Sequence, residues 1–88
     1  MADQAERGHI AAAGNTVVPA LLALEAAGYR VSKLGELLEA TSPDGSSYVA
    51  DDPVTLLGLI KLVELRSWTW HATDAEIDSV LTRFGWMH

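Results

Sequence analysis

Residues 51–70, DDPVTLLGLIKLVELRSWTW, constrain the chain more than any other stretch. Asp52 is suited to cap a helix, and Pro53 to its first position, where the missing N–H costs nothing. From there the apolar residues fall on two faces. At ~100° per residue, Leu56, Leu59, Ile60 and Val63 make a wide core face. Val54, Gly58, Leu62 and Leu65 make a second stripe with glycine at its centre. Lys61 and Glu64 hold one polar edge, Thr55 and Arg66 the other. A helix apolar on two sides must be covered on two sides. Either the chain's own C-terminal helix covers the second stripe, or another molecule does, a second copy included. Mid-helix glycine costs ~1 kcal/mol against alanine, a cost that close approach of another backbone would offset. Val54, Gly58, Leu62 and Leu65 are therefore the candidate self-association residues.

The rest of the chain reads as one small α+β domain spanning residues 1–88, with the polar residues 1–7 flexible. Gly8 and Gly14 bracket His9–Ala13, which is read as a short buried strand against the helical preference of its alanines. Thr16–Ala27 is expected to be helical, capped by Asn15 or Thr16 and stopped by Gly28. It is apolar nearly all round and so is expected to be central, with Glu25 either snorkelling out or paired with Arg30 or Lys33. Tyr29–Leu34, Glu36–Thr41 and Ser46–Ala50 read as strands. The turn Ser42-Pro43-Asp44-Gly45 joins the last two, because proline presets φ and glycine accepts φ > 0. Thr73-Asp74-Ala75-Glu76 is a capping box. Ile77, Val80, Leu81 and Phe84 follow at helical spacing, and Gly85 ends the helix. The expected fold is a short antiparallel sheet with a central hairpin, packed by three helices.

Composition narrows the function classes. An apolar fraction of 49% supports a core, and the absence of cysteine removes disulfides, thiol nucleophiles and thiolate metal sites. It fits a cytoplasmic location. No run of ~18 apolar residues offers a transmembrane helix, and the N-terminus lacks the apolar stretch of a secretory signal. Twelve acids against six bases give a net charge of −6. Such a surface disfavours nucleic acid and anionic lipid and favours a basic protein partner.

The chemistry-bearing residues form no motif. His9, His71 and His88 are far apart, no Gly-x-Ser-x-Gly elbow or P-loop occurs, and Asp51-Asp52 starts a helix rather than an ion-binding loop. No enzyme activity, metal or cofactor is expected. Glu36, Glu39, Asp44, Asp51 and Asp52 lie between Lys33 and Lys61 with no base among them. Glu36, Glu39, Asp44 and Asp51 are candidate partner-binding residues. Trp68 and Trp70 join them, sharing one side if their segment is extended, because tryptophan is enriched where interfaces gain most energy.

Gly14-Asn15-Thr16 with Pro19-Ala20-Leu21-Leu22 and Gly28-Tyr29, then Val49-Ala50-Asp51-Asp52-Pro53 with Leu56-Leu57-Gly58-Leu59 and Trp70, resembles a group of small bacterial proteins of uncharacterised activity. The likeness spans residues 14–84. In size and charge such proteins resemble immunity partners of bacterial toxins. The resemblance implies a non-enzymatic protein-binding module, an inhibitor whose acidic face occupies a basic partner. The alternative is a homo-oligomer associating through the 53–66 helix.

Overall fold

A computed structural model describes residues 7–86. It has the α+β architecture expected, a three-stranded antiparallel sheet with three helices. In chain order these are α1 (Val17–Ala26), β1 (Arg30–Leu34), β2 (Leu37–Thr41), β3 (Ser47–Ala50), α2 (Pro53–Arg66) and α3 (Asp74–Phe84).

Local chemistry explains where each element stops. Gly28 at φ 94° lets α1 end in a Schellman motif. The Tyr29 amide donates to the Leu24 carbonyl at 3.0 Å, and the Gly28 amide to that of Glu25 at 3.0 Å. Tyr29 is thereby turned onto Leu24, and β1 starts beside the helix it has just left. Gly35, at φ 64°, opens the two-residue turn between β1 and β2, a position where a side chain would be strained. The Ser42–Ser46 turn is held by the Gly45 amide on the Ser42 carbonyl and by Ser46 on Asp44 Oδ1, each at 2.9 Å. Asp52 caps α2 as expected, accepting the Thr55 amide at 2.8 Å, with Pro53 behind it.

The sheet runs in the order β1-β2-β3. Register aligns Val31 with Ala40 and Ala40 with Tyr48 on the face that α1 and α2 cover. The core there is small. Leu24, Ala40, Leu56 and Ile60 are buried, with Tyr29, Val31, Leu38, Tyr48, Ala50 and Leu57 packed round them. Leu24 and Leu56 are the largest side chains removed from water completely.

Several expectations are corrected. His9–Ala13 forms no strand; it is exposed, irregular backbone leading to a 3₁₀ turn at Gly14–Thr16. A strand needs a ladder partner, and this stretch joins neither edge of the sheet. It lies against α1 and α2 instead, walling a groove of about 640 Å³ with Pro19, Val54 and Leu57. Neither candidate cap forms at α1: the Thr16 hydroxyl donates back to the Ala13 carbonyl at 2.6 Å and caps nothing. Nor is α1 central. Ala20 and Leu24 are buried, while Val18 and Leu22 on its far side face water. Glu25 is exposed. A two-layer fold covers a helix on one side only, and with two helices on three strands nothing remains to cover the other. The flexibility expected of residues 1–6 and the position of His88 fall outside the described residues.

Candidate functional site

α3 is well made and poorly covered. Its capping box is complete: Glu76 N–H donates to Thr73 Oγ1 at 3.1 Å, and Thr73 N–H to Glu76 Oε1 at 2.9 Å. Gly85 and Trp86 return their amides to the Thr82 and Leu81 carbonyls. Yet no residue of α3 is buried. Val80 and Leu81 are partly buried, while Ile77 is 43% exposed and Phe84 56%. Trp86 stacks on Phe84 at 5.0 Å, extending the same apolar surface. Ile77, Val80 and Leu81 open onto a concavity of about 570 Å³ that Arg66 also lines. An isolated helix of this length is marginal in water, below the roughly 12–15 residues that helices need to stand alone.

Arg66, the last residue of α2, organises the joint. Its Nε donates to the Trp70 carbonyl at 3.1 Å, and its Nη2 to the His71 carbonyl at 3.3 Å and to Glu76 Oε1 at 3.5 Å. The Thr73 amide, and after it the Arg66 guanidinium, hold the Glu76 carboxyl below its usual pKa. Before this clamp the backbone passes through Ser67 at φ 60°, ψ −167°, a region where only glycine is comfortable. Such a conformation costs of order 1–3 kcal/mol and persists only where its surroundings enforce it. One enforcing contact is Trp68, which stacks on Tyr48 at 5.7 Å; Tyr48 in turn meets Tyr29 edge-on at 6.2 Å.

The second stripe of α2 exists as expected, opposite the buried Leu56 and Ile60. Val54 and Leu62 are partly buried, Gly58 is exposed and Leu65 is 74% exposed. The expectation that α3 of the same chain covers it is not met, since α3 is held off on its linker. Nor, among the described residues, does any other backbone approach Gly58: outside its own stretch of helix, a Cβ there would meet nothing within 4 Å.

The partner-binding candidates are not brought together. Register pairs Leu38 with Ala50, so Glu36 and Asp51 lie at one end of the sheet and Asp44, in the β2–β3 turn, at the other. Glu39 projects from the uncovered face and accepts the Ser47 hydroxyl at 2.6 Å. Asp44 is lowered in pKa first by the Ser42 hydroxyl, then by the Ser46 amide. Trp68 and Trp70 part company too: Trp68 lies on Tyr48, and Trp70 stacks on His71 at 3.8 Å. Residues the pattern underrated are Arg66, read as a polar edge, and Ile77 and Phe84, read as core. A fork-shaped side chain at a helix C-terminus followed by linker carbonyls is the one signal that pointed to Arg66.

Among the described residues, no group of three histidine, aspartate or glutamate side chains is placed to hold a metal, and no helix is long and apolar enough to cross a membrane. What the arrangement offers chemically is apolar area: the α3 face, the outer row of α2, and the exposed side of α1. No protein-family model, curated protein or solved structure matches the chain.

Proposed function

We propose that this protein is a non-enzymatic protein-binding module, acting in the cytoplasm, whose partner covers the apolar faces of α3 and α2. The observation that carries the reading is area. The chain exposes 6946 Å², against roughly 5,000 Å² for a folded chain of 9.4 kDa. Its radius of gyration is 16.1 Å, against about 12 Å for a compact domain of this length. Large apolar side chains on these faces contribute to it, with Leu65, Phe84 and Trp86 each more than half exposed. Phe84 and Trp86 stack into one exposed apolar patch, and exposed apolar patches mark association sites.

The test uses the intact protein as bait in its native host, beside a variant with Ile77→Asp and Phe84→Asp. A protein captured by the wild type and lost with the variant supports the reading, provided circular dichroism shows the α1–α2 body still folded. Identical captures from both baits overturn it. An immunity-like inhibitor steered to a basic partner through Glu36, Glu39, Asp44 and Asp51 is the narrower form. Charge supports it, and Glu36 with Asp51 at one sheet end is its best-placed pair. Neutralising those two should slow association with a captured partner and flatten its salt dependence. A rate that ignores salt leaves the acids as a solubility feature.

A further inference from the structure

We propose that α3 is an exchanged arm: the Ile77–Phe84 face of one chain lies on the outer row of α2 in a second copy, and the reverse, closing a two-fold dimer. This rests on the protein-binding reading and names its partner.

The first argument is complementarity of deficits. Besides the exposed side of α1, two apolar helix surfaces lack full cover: the α3 face, and the outer row of α2, where Gly58 and Leu65 are exposed and Val54 and Leu62 partly buried. In an isologous dimer each copy supplies what the other lacks, twice over, and the assembly closes. Open space over Gly58 is what a crossing helix needs in order to approach the α2 backbone closely.

The second argument is exposure: Leu65 on the row is 74% exposed, and Ile77, Phe84 and Trp86 on the arm are 43%, 56% and 60% exposed, large apolar and aromatic side chains of the kind homodimer interfaces bury.

The third argument explains why α3 does not close on its own chain. The outer row of α2 points away from the sheet. Trp68 stacks on Tyr48, a sheet residue, so the linker leaves α2 on the sheet side, opposite that row. Arg66 then holds the Trp70 and His71 carbonyls and Glu76, fixing the outward course. The strained backbone at Ser67 sits at the root of the arm, and short strained hinges favour exchange between copies over closure within one.

The chain has no cysteine, so engineered ones report without background. Sedimentation of the pure protein over a range of concentrations should give twice the chain mass, dissociating on dilution. Phe84→Asp should raise the dissociation constant roughly tenfold or more, as loss of a buried aromatic anchor does. Differently tagged chains carrying Leu62→Cys or Ile77→Cys, mixed and oxidised, should form the disulfide between tags; Leu65→Cys is the second position on the row. A single-chain mass at every concentration overturns the proposal. If a chain carrying both substitutions then cross-links to itself, the occupant of the row is its own α3. If a dimer forms but links Leu62→Cys only to Leu62→Cys, two α2 rows cross and the arm is not exchanged. Should the pure chain be monomeric while the host bait still captures a protein through Ile77 and Phe84, the binding-module reading stands and the second copy falls.

Discussion

Gly58→Ala puts a magnitude on the outer row of α2. Position 58 lies well inside a helix of 14 residues, where glycine is less favourable than alanine by about 0.8–1.0 kcal/mol. Nothing among the described residues offsets that cost, because beyond its own stretch of helix the added methyl meets no atom within 4 Å, and the position is exposed. Dilute, monomeric protein should therefore gain close to the full propensity difference. For a domain of this size that is a rise in Tm of roughly 4–8 °C, with an unchanged urea m-value. Gly58→Gln should give most of the same gain, since glutamine is also a good helix former. Thermal and urea unfolding followed by far-ultraviolet circular dichroism decide it, repeated at low and high protein concentration. At high concentration the alanine gain should shrink and the glutamine gain should reverse, as the longer side chain holds a crossing helix away. A dilute protein that gains nothing from Gly58→Ala would refute the reasoning, because it would mean that the chain itself packs on this position.

Leu56→Ala empties the centre of the core, where the side chain is removed from water completely, and should cost about 2–5 kcal/mol in urea unfolding. Thr73→Ala removes the cap oxygen of α3 and should cost about 0.5–2 kcal/mol of local helix stability, read as faster amide exchange over 74–84 with the body unaffected. Phe84→Ala should cost the dilute chain far less than the ~3–5 kcal/mol of a buried phenylalanine and lower Tm more steeply as concentration rises; a large cost in dilute protein means that α3 is docked on its own chain. Asp44, Asp52 and Glu76 all have carboxyl pKa values depressed by folding, so their stabilisation is full above the unfolded values near 4 and is lost as pH falls through the lower folded ones. An acid titration should therefore leave stability flat from neutrality to about pH 5 and show a decline beginning near pH 4; a decline already under way near pH 6 would assign acid sensitivity to other groups.

Punctuation was the most legible part of the sequence. Asp52-Pro53, Thr73 to Glu76, Gly28 and the Ser42–Gly45 turn each act through contacts within a few residues, so their chemistry survives without knowledge of the fold. His9–Ala13 was misread for the opposite reason. Whether a short small-residue run becomes a strand depends on a free edge beside it, which is a property of the whole sheet. Burial misled in the same way. The periodicity of α1 and α3 identifies apolar faces correctly, but periodicity says that a face wants cover and not where the cover comes from. Val18 and Leu22 are spaced like core residues and face water because the second layer ends at two helices. The acids were grouped by their proximity in sequence. An antiparallel meander then sends Asp44 to one end of the sheet and Glu36 and Asp51 to the other, so neighbours in the chain are separated by a strand length.

The separate aromatic stacks give the chain an optical map of itself. Each described tryptophan stacks on a different neighbour: Trp68 on a tyrosine of the folded body, Trp70 on a histidine at the joint, Trp86 on a phenylalanine at the end of the arm. Chains keeping one tryptophan at a time would report three parts of the molecule through the same signal. Under denaturant the arm-end emission should shift first and the body emission last, so the intact chain's fluorescence would trace a broad, sloping transition, and its circular dichroism would fall in two stages as the 11 residues of α3 melt before the body.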